Sequence, residues 1–365
     1  MNIKRILFTG ARAPAVLKAA GVLSAGGYSV FAADSAYANL CIFSNKVRKF
    51  FKLPPAKEKN YKNALINIIK SEKIDLLIPS CEEIFYISAF LEELKKNCEV
   101  YCDSRSKLLK LHDKWSFYQY LTEKGLNTPE TYPASEMPRA LDKKYILKPR
   151  FSRFASQVEF TSKINNKKRN NSYIAQDFIK GNQYCSYALA ENGKIISSIT
   201  YITILNAGRG AGILLKRSED KEIDAITAFI AEDLNFTGQI AFDFIKTADG
   251  NIFVIECNPR MTSGLVFIPD IFLHISGGGE KKESSGINFA SLLLAILIYM
   301  PLQPLKTIGH IKEIIMAQEM VFDKKDLMPF FMQIPISAYW LIKGIFHGGP
   351  TRASTMDIEF NGENL

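Results

Sequence analysis

The chain has 365 residues, 47% of them hydrophobic, and its 46 lysines and arginines exceed its 37 aspartates and glutamates. This length suffices for two or three domains with their own cores, and the composition excludes a disordered or fibrous protein. The basic residues concentrate between positions 143 and 180, which indicates either a nearby polyanion or a solvated basic face. No zinc finger or aromatic-interleaved RNA motif accompanies them, so we do not expect nucleic acid as a partner.

Two features of the sequence bear on its compartment. The opening MNIKRILFTG leads directly into a predicted strand without the apolar segment of a signal peptide, so we expect a cytoplasmic protein with six reduced cysteines. Cys98 and Cys102 have no second Cys or His pair at metal-ligand spacing, so zinc is not predicted. The most apolar stretch, 289–302, is shorter than the ~20 residues that cross a bilayer, and we expect a buried helix there and no transmembrane segment.

The first hundred residues alternate strand and helix patterns. Strands are predicted over 3–9, 28–33, 75–79 and 99–102, and helices over 14–25, 61–71 and 83–96, with an irregular stretch before residue 61. This alternation is typical of a parallel sheet covered by helices. We therefore predict an α/β domain over residues 1–103.

The pattern changes after that domain. A helix predicted over 106–125 is followed by strands over 144–148, 157–160 and 173–178, and by two hairpins with turns at Asn192-Gly193 and Asp249-Gly250 around a helix over 219–234. These antiparallel signals predict an α+β body, which we divide into residues 104–180 and 181–300. Residues 301–365 are an extension whose role the sequence leaves open, with one strand-like stretch over 356–360.

The sequence lacks two common nucleotide-binding motifs. The glycine-rich SGGGEKKESS at 276–285 is predicted to be a flexible loop, and no GxxxxGK[ST] P-loop occurs in the chain. Gly10 lacks the partner glycines of a GxGxxG dinucleotide fingerprint, because Arg12 and Pro14 stand close after it.

The most specific signal is the second hairpin, AFDFIKTADGNIFVIECNPRMTSG. Alternate residues of a strand share a face, so Glu256, Asn258 and Arg260 point the same way, and Asp243 on the paired strand can join them. Two carboxylates and an amide are oxygen ligands that suit Mg²⁺, and an arginine beside them suits a phosphate. The alternative is an exposed hairpin whose carboxylates pair with lysines, but the apolar flanks indicate buried strands.

At Glu256-Cys257-Asn258-Pro259-Arg260 the chain resembles the ATP-grasp superfamily, whose members carry a metal-binding E-x-N-P-R at this strand end. The resemblance extends over about residues 1–270 and is strongest to carbamoyl-phosphate-synthase-type enzymes and related carboxylate–amine ligases. It implies an α/β N-terminal domain followed by an ATP-grasp fold of two α+β subdomains that close on ATP. The implied cofactors are ATP and Mg²⁺, for which Mn²⁺ is an acceptable substitute.

The resemblance also implies roles for individual residues. It places Lys114 and Lys148 on the ATP phosphates, Gln176, Asp177, Phe178 and Ile179 at the adenine, Gln183 at the ribose, Asp243, Glu256 and Asn258 on the metal, and Arg260, Lys148 and Arg209 at the reacting phosphate. Gln183 departs from the acidic residue that the family usually has there, although an amide can still bond a hydroxyl.

A second departure from the family is the loop RFSRFAS at 150–156, where many relatives have a glycine-rich flap. Phe151 and Phe154 cannot offer the close backbone approach that glycine permits. We predict instead that Arg150 and Arg153 clamp the phosphates, and the alternative is that these arginines are solvated surface residues.

The substrate residues are predicted from the position of strand ends. Glu82 and Glu83 follow the strand ending at Pro79 and share the carboxyl edge of the parallel sheet with Arg12, where open α/β sheets bind ligands. An ordinary carboxylate at a helix start is the alternative for Glu82. Ser263 and Gly264 continue from the metal-binding strand, and the resemblance implies that they line the acyl-phosphate pocket.

The predicted function is an ATP- and Mg²⁺-dependent ligase that activates a small carboxylate, such as an amino acid, as an acyl phosphate and passes it to an amine or another nucleophile. Kinase-like or carbamoyl-phosphate-forming chemistry is the alternative within enzymes. A nucleotide-binding regulatory protein without turnover is the alternative outside them. The partners are then small molecules, and a homo-oligomer is left open.

Overall fold

The computed structural model describes residues 3–153, 157–208, 210–275 and 286–363, with the side chain of Ile271 not described. Among them no helix is both long and apolar enough to cross a membrane. Three β-sheets organise this part of the chain.

The first sheet is parallel and confirms the predicted α/β layer. Its strands, in the order β3-β2-β1-β4-β5, are β1 (Arg5–Phe8), β2 (Ser29–Asp34), β3 (Lys49–Lys52), β4 (Leu76–Ile78) and β5 (Glu99–Val100). Its helices are α1 (Pro14–Ala25), α2 (Tyr61–Ser71), α3 (Glu83–Ile87) and α4 (Leu91–Lys95). Side chains of β1 alternate between two cores, with Leu7 in one and Ile6 and Phe8 in the other.

Two differences from prediction occur here. The segment over 83–96 is broken into short helices rather than one. The strand β3, KFFK, lies in the stretch that was predicted to be irregular, because four residues flanked by lysines give too little pattern to recognise.

Two helices, not one, follow the parallel sheet. These are α5 (Arg105–His112) and α6 (Lys114–Glu123), and the predicted single helix over 106–125 is interrupted at Asp113. Asp113 has an extended backbone, and its side chain accepts the N–H of Trp115 at 3.2 Å, which caps α6. The break makes Lys114 the first residue of a new helix.

The second sheet has four antiparallel strands in the order β6-β9-β7-β8. They are β6 (Thr131–Pro133), β7 (Ala140–Pro149), β8 (Glu159–Lys163) and β9 (Tyr173–Asp177). A small core of its own, which includes Tyr145, Leu147 and Ala175, lies beneath it.

The third sheet has seven strands in the order β14-β13-β10-β11-β12-β15-β16. They are β10 (Asn182–Glu191), β11 (Lys194–Ala207), β12 (Ala211–Ser218), β13 (Gly238–Lys246), β14 (Ile252–Asn258), β15 (Phe289–Ser291) and β16 (Gln318–Glu319), with α7 (Lys221–Asp233) packed on β10 and β11. Both predicted hairpins are present, and at the first turn Asn192 and Gly193 have φ of 49° and 78°. Strand β16 lies beyond residue 300, so the predicted extension contributes to this sheet.

The remaining helices are short except for one. They are α8 (Ile271–Ile275), α9 (Leu293–Tyr299), α10 (Pro304–Gly309), α11 (Ile311–Met316), α12 (Met328–His347) and α13 (Pro350–Ala353). The prediction of a buried helix over 289–302 is wrong: its start is β15, and α9 exposes Leu293, Leu297 and Ile298.

The end of the chain returns to the first sheet. The predicted strand over 356–360 is absent, and these residues instead contact the edge of the parallel sheet. Tyr86 Oη donates to the carbonyl of Glu359 at 2.8 Å, and the N–H of Phe360 donates to Glu82 Oε2 at 3.0 Å. The C-terminal segment thus helps to wall the region between the sheets.

Candidate active site

A cleft of about 430 Å³ opens between the four-stranded and seven-stranded sheets. Predicted site residues on both sheets, on α6 and on the segments between elements line it, namely Lys114, Lys148, Arg153, Gln176, Asp177, Phe178, Ile179, Gln183, Asp243, Glu256, Asn258, Arg260 and Ser263. Apolar side chains, including Ile146, Val158 and Phe244, fill the spaces among them. A cleft in which polar and charged groups converge among apolar side chains suits a small-molecule ligand.

The carboxylate pair sits where the hairpin register brings it together. Asp243 on β13 pairs directly with Glu256 on β14, and Asn258 follows two residues later on the same face. Cys185 on β10 lies opposite Asp243 on its other side and donates from Sγ to Asp243 Oδ1 at 3.0 Å. The sequence pattern therefore predicted this cluster correctly, except for the contact with Cys185.

The two carboxylates influence each other's charge. Burial and the adjacent negative charge of Glu256 raise the pKa of Asp243. Burial also tends to raise the pKa of Glu256, but the positive charges of Lys114 and Lys148 outweigh it and lower that pKa. One carboxyl group of the pair therefore ionises readily and the second with difficulty. A bound dication would stabilise the ionised form of both. With the amide of Asn258 it forms an all-oxygen donor set that fits Mg²⁺.

Two lysines enter the cleft from separate elements. Lys114, at the start of α6, is buried, and its Nζ lies 3.2 Å from the carbonyl of Ser152 and 3.5 Å from Glu256 Oε2. Lys148, on β7, is also buried and donates to Gln176 Oε1 at 2.8 Å. Burial lowers the pKa of Lys148 to about 8, against the nearby charge of Glu256. An anionic ligand beside these ammonium groups would replace the water that they have lost.

The segment 176–179 lies in the cleft, with differing contacts. Gln176 is held by Lys148 on its oxygen and donates from Nε2 to Thr131 Oγ1 at 3.0 Å, so its amide is committed to orienting Lys148. Asp177 pairs with Lys143 at 2.7 Å, and Phe178 packs on Phe160. Ile179 and Gln183 also line the cleft. Their predicted contacts with adenine and ribose stay predictions.

The loop arginines do not act together as predicted. Arg150 turns away to Asp113, with its Nε 2.8 Å from Oδ1 and its Nη2 on Oδ2, and does not line the cleft. The predicted phosphate contact of Arg150 is corrected accordingly: the break before α6 places a carboxylate within its reach. Arg153 is buried and lines the cleft, with Nη1 3.6 Å from Glu82 Oε1.

Arg260 completes the positive side of the cleft. Its Nη2 lies 3.2 Å from Asn258 Oδ1 and 3.9 Å from Glu82 Oε1, so Arg153 and Arg260 share one carboxylate. The predicted role of Arg209, and the part of the loop at 154–156, lie outside the described residues.

Comparison with known families agrees with this geometry. Residues 111–264 match the family model of the ATP-grasp domain. This stretch is an ATP-grasp domain. It contains both lysines, the segment 176–179 and the carboxylate pair, and it spans the second sheet and most of the third.

Solved structures confirm that the ATP-grasp fold extends beyond this stretch. The N5-carboxyaminoimidazole synthetase of Staphylococcus aureus is 14% identical with a TM-score of 0.61, covering 83% of this chain and 88% of its own. The L-amino acid ligase of Bacillus licheniformis is 16% identical with a TM-score of 0.56, covering 81% and 74%. The biotin carboxylase domain of Hydrogenobacter thermophilus 2-oxoglutarate carboxylase is 12% identical with a TM-score of 0.61, covering 80% and 73%. No curated protein sequence matches the chain significantly.

Two of the predicted substrate residues contribute to the packing of the fold. Glu83 is buried, and its Oε1 accepts from Thr9 Oγ1 at 2.8 Å and from the N–H groups of Ser80 and Cys81 at 3.0 and 3.1 Å. It thereby ties the ends of β1 and β4, beside Gly10, whose φ of 64° and missing Cβ make room for Oε1. Oε1 of Glu83 is therefore committed to holding these strand ends, and the predicted contact of this residue with a substrate stays a prediction.

Gly264 is the second such residue. A Cβ there would lie 2.5 Å from Cβ of Tyr187, so close packing against β10 requires glycine. Its neighbour Ser263 does line the cleft, as predicted.

The other two substrate predictions have mixed outcomes. Arg12 is engaged by Asp34 and Asp357, with Nη1 2.7 Å from Asp357 Oδ1, although it still borders a second cavity. Glu82 is buried between the N–H of Phe360 and the two cleft arginines, so it acts on Arg153 and Arg260 rather than at the surface of the cleft.

Sequence reasoning missed Cys185, Thr131 and the carbonyl of Ser152. Cys185 could have been predicted, because it lies two residues after Gln183 on the same strand and therefore faces the same side of the sheet. Thr131 and Ser152 act through contacts between distant segments and give no local signal.

Proposed function

We propose that the protein is an ATP- and Mg²⁺-dependent ligase that converts a carboxylate into an acyl phosphate and transfers the acyl group to an amine. The observation that carries this proposal is the convergence of Lys114, Lys148, Asp243 and Glu256 in one cleft of an ATP-grasp domain. In support, the biotin carboxylase domain of Hydrogenobacter thermophilus was solved in complex with MgADP, and another structural neighbour is an L-amino acid ligase.

The protein's own residues would divide the work by charge. Lys114 and Lys148 would bind phosphate oxygens with ammonium groups that burial has stripped of water, so that binding regains their lost solvation. Gln176 would hold Lys148 in place through the chain of hydrogen bonds to Thr131. Apolar neighbours of the cleft, such as Ile146 and Phe244, would exclude water from the adenine side.

Asp243, Glu256 and Asn258 would hold the metal, which supplies positive charge for the β- and γ-phosphates when bound. Arg260 and Arg153 would orient the substrate carboxylate, with Glu82 fixing both guanidinium groups. The carboxylate oxygen would then attack the γ-phosphorus, ADP would leave, and the amine would displace phosphate from the acyl carbon. Positioning and charge stabilisation account for most of the rate in such transfers.

The test is ADP release from ATP and Mg²⁺ across a panel of carboxylic acids and amino acids, each with and without an amine. ADP formation that requires an acid supports ligation. Formation with bicarbonate alone would favour carbamoyl-phosphate-type chemistry. A protein that binds ATP but releases no ADP with any acid would be a nucleotide-binding regulator.

A further inference from the structure

A second cavity of about 390 Å³ adjoins the cleft, and Arg153, Arg260 and Ser263 line both. We call it the apolar chamber. Its other walls come from the start of α1, the segment 38–40, the segment 261–266, α9, the residues around 320 and α12. Much of this wall therefore belongs to residues 301–365, the extension to which the sequence assigned no role.

The lining of the chamber is mainly hydrocarbon. Val266, Met320 and Val321 are nearly fully buried, and Ile336 packs against the same core. Trp340 also lines the chamber, and its indole N–H is taken by the carbonyl of Ala38 at 3.0 Å. These walls favour an apolar occupant.

The charges of the chamber have one sign. Its charged lining residues, among those that the structure describes, are Arg12, Arg153 and Arg260, with no aspartate or glutamate. Arg12 is paired with both Asp34 and Asp357, whereas Arg153 and Arg260 both lie beside Glu82. Two guanidinium groups therefore meet at the junction with the cleft, where they suit an anionic group.

We propose that the apolar chamber holds the hydrocarbon part of the substrate, and that the substrate is a monocarboxylic acid with an apolar chain and no ammonium group. Its carboxylate lies at Arg153 and Arg260, facing the ATP-binding cleft, and its chain lies among Val266, Met320 and Ile336. No aspartate or glutamate lines the chamber, and Glu82 at the junction is already shared by Arg153 and Arg260, so an α-amino group would lack a carboxylate of its own, which is costly. This substrate class rests on the ligase function proposed above.

The test is titration calorimetry of the full chain with straight-chain acids from acetate to octanoate, with and without a non-hydrolysable ATP analogue and Mg²⁺. Affinity is expected to rise about three- to fivefold for each added methylene. The 2-amino analogue of each acid is expected to bind at least about tenfold more weakly than the acid itself. Affinity that is flat with chain length, or equal for the amino analogue, would overturn the proposal.

A matched pair of variants locates the binding. Ser337→Phe on α12 fills the chamber, whereas Ala338→Phe changes the next residue, which faces outward and does not line it. Ser337→Phe is expected to weaken octanoate at least about tenfold and acetate little, since only the longer chain reaches α12. Equal octanoate binding by the two variants would place the acid elsewhere.

Binding and turnover separate the two proposals. Chain-length-dependent binding with no ADP release would overturn the ligase function and leave the chamber assignment standing. ADP release that depends on an acid but not on its chain length would overturn the chamber assignment and leave the ligase function standing.

A different observation concerns the surface. Of the 26 large apolar side chains that are exposed among the described residues, 20 lie between Leu293 and Phe346. The most exposed are Leu302 (79%), Leu305 (86%), Ile315 (77%), Met316 (69%), Ile345 (76%) and Phe346 (79%). We call these exposed side chains, carried by α9 to α12 and the turns between them, the C-terminal apolar face. Their concentration in one part of the chain differs from the scattered apolar exposure that is normal for a protein surface.

The long helix α12 is apolar on its outward side. Met328, Phe331, Ile334, Ile342 and Ile345 are exposed at helical spacing. The buried side of the same helix includes Gln333 and Gly344. Because Met332 and Ile336 also pack against the core, the helix is apolar on both sides, whereas the outer side of a surface helix is normally polar.

Charge distinguishes between occupants of this face. Helix α12 has no acidic residue and carries Lys343, and the exposed Lys306 and Lys312 lie on α10 and α11. The four acids between 293 and 347 are engaged locally: Glu313 with His310, Glu319 with the N–H groups of Val321 and Phe322, Asp323 with the N–H of Lys325, and Asp326 with Ser44. A symmetric second copy would present only acids that are already engaged to these lysines, whereas anionic lipid headgroups would neutralise them.

We infer that the C-terminal apolar face binds the surface of an anionic lipid bilayer. Leucine, isoleucine and phenylalanine side chains would enter the headgroup boundary, and the lysines would reach the headgroups. Because no described helix can span a membrane, the helices would lie in the interface.

The test is flotation of the protein with vesicles of phosphatidylcholine alone or mixed with phosphatidylglycerol. Binding is expected with the anionic vesicles, and Ile345→Asp is expected to reduce it at least about tenfold. Phe229→Asp, at an exposed phenylalanine of α7 outside the face, is the matched control and should bind as the parent does. Absence of vesicle binding would overturn the inference, and a dimer in sedimentation that Ile345→Asp dissociates would assign the face to a second copy.

Discussion

Lys114 Nζ lies 3.5 Å from Glu256 Oε2, and this contact joins the start of α6 to the end of β14. The lysine lowers the pKa of one carboxylate of the pair, while the other, Asp243, is buried beside it with a raised pKa. The cleft thus carries a lysine for phosphate and a carboxylate pair for a dication side by side. Binding of the phosphates and binding of the metal should therefore depend on each other.

Removing the charge of Glu256 should abolish turnover and preserve the fold. Glu256→Gln keeps the size of the side chain but leaves the metal-binding pair with a single carboxylate, so we expect ADP release to fall at least about hundredfold. Glu219→Gln, at an exposed position before α7, is the control and should keep parental activity. The measurement is steady-state ADP formation, with thermal unfolding to check the fold. Parental activity in Glu256→Gln would rule out the assigned metal site.

Stabilisation by ATP should depend on Mg²⁺. A ligand at a hundredfold excess over its Kd stabilises the folded state by about 2.7 kcal/mol. We expect ATP with Mg²⁺ to raise the unfolding temperature clearly, and ATP with a chelator to raise it much less, because the phosphates then face the pair Asp243 and Glu256 without a cation. The measurement is thermal unfolding in both conditions. Equal shifts would contradict the metal assignment.

Affinity for ATP should fall above about pH 8. Burial lowers the pKa of Lys148 to about 8 from 10.5, and only the protonated ammonium binds phosphate. Binding therefore requires uptake of a proton above that pH, so affinity should fall by up to about tenfold per pH unit. Lys148→Arg should flatten this profile because arginine stays protonated. Lys143→Arg, at the exposed lysine paired with Asp177, should leave the profile unchanged. A parental profile in Lys148→Arg would contradict the role of Lys148.

Arg150 and Arg153 should differ in effect although they lie three residues apart. Arg150→Ala removes the pair with the cap of α6, so we expect a loss of about 1–2 kcal/mol in the free energy of unfolding and ATP affinity within about twofold of the parent. Arg153→Ala should lower turnover at least about tenfold, because its guanidinium lines the cleft. Denaturant unfolding and ADP release give the two readouts. The reverse pattern would restore Arg150 as a phosphate contact.

Local patterns predicted much of the site. The period of two along β14 placed Glu256 and Asn258 on one face, and the hairpin turn at Asp249-Gly250 set the register that brings Asp243 beside them. The strand pattern placed Lys148 on a strand, and the resemblance to the ATP-grasp superfamily, not the pattern, pointed to its phosphate role.

What the sequence did not reveal depends on contacts between distant segments. Arg150 and Arg153 are equivalent in the local pattern, and only the helix break at Asp113 decides which one turns away. The hydrogen bonds of Glu83 were not predicted, because its partners Thr9 and Ser80 follow two strands whose adjacency no short window encodes. The hydrogen bond between the C-terminal Phe360 and Glu82 likewise joins distant segments, so no local pattern could predict it.

Trapping with hydroxylamine measures the proposed acyl phosphate itself. With ATP, Mg²⁺ and an apolar monocarboxylic acid, the protein is expected to form the corresponding hydroxamate in step with ADP, and Glu256→Gln is expected to form neither. ADP release without hydroxamate for any acid, or no ADP release at all from protein that binds ATP and Mg²⁺, would contradict the assignment of this cleft to carboxylate activation.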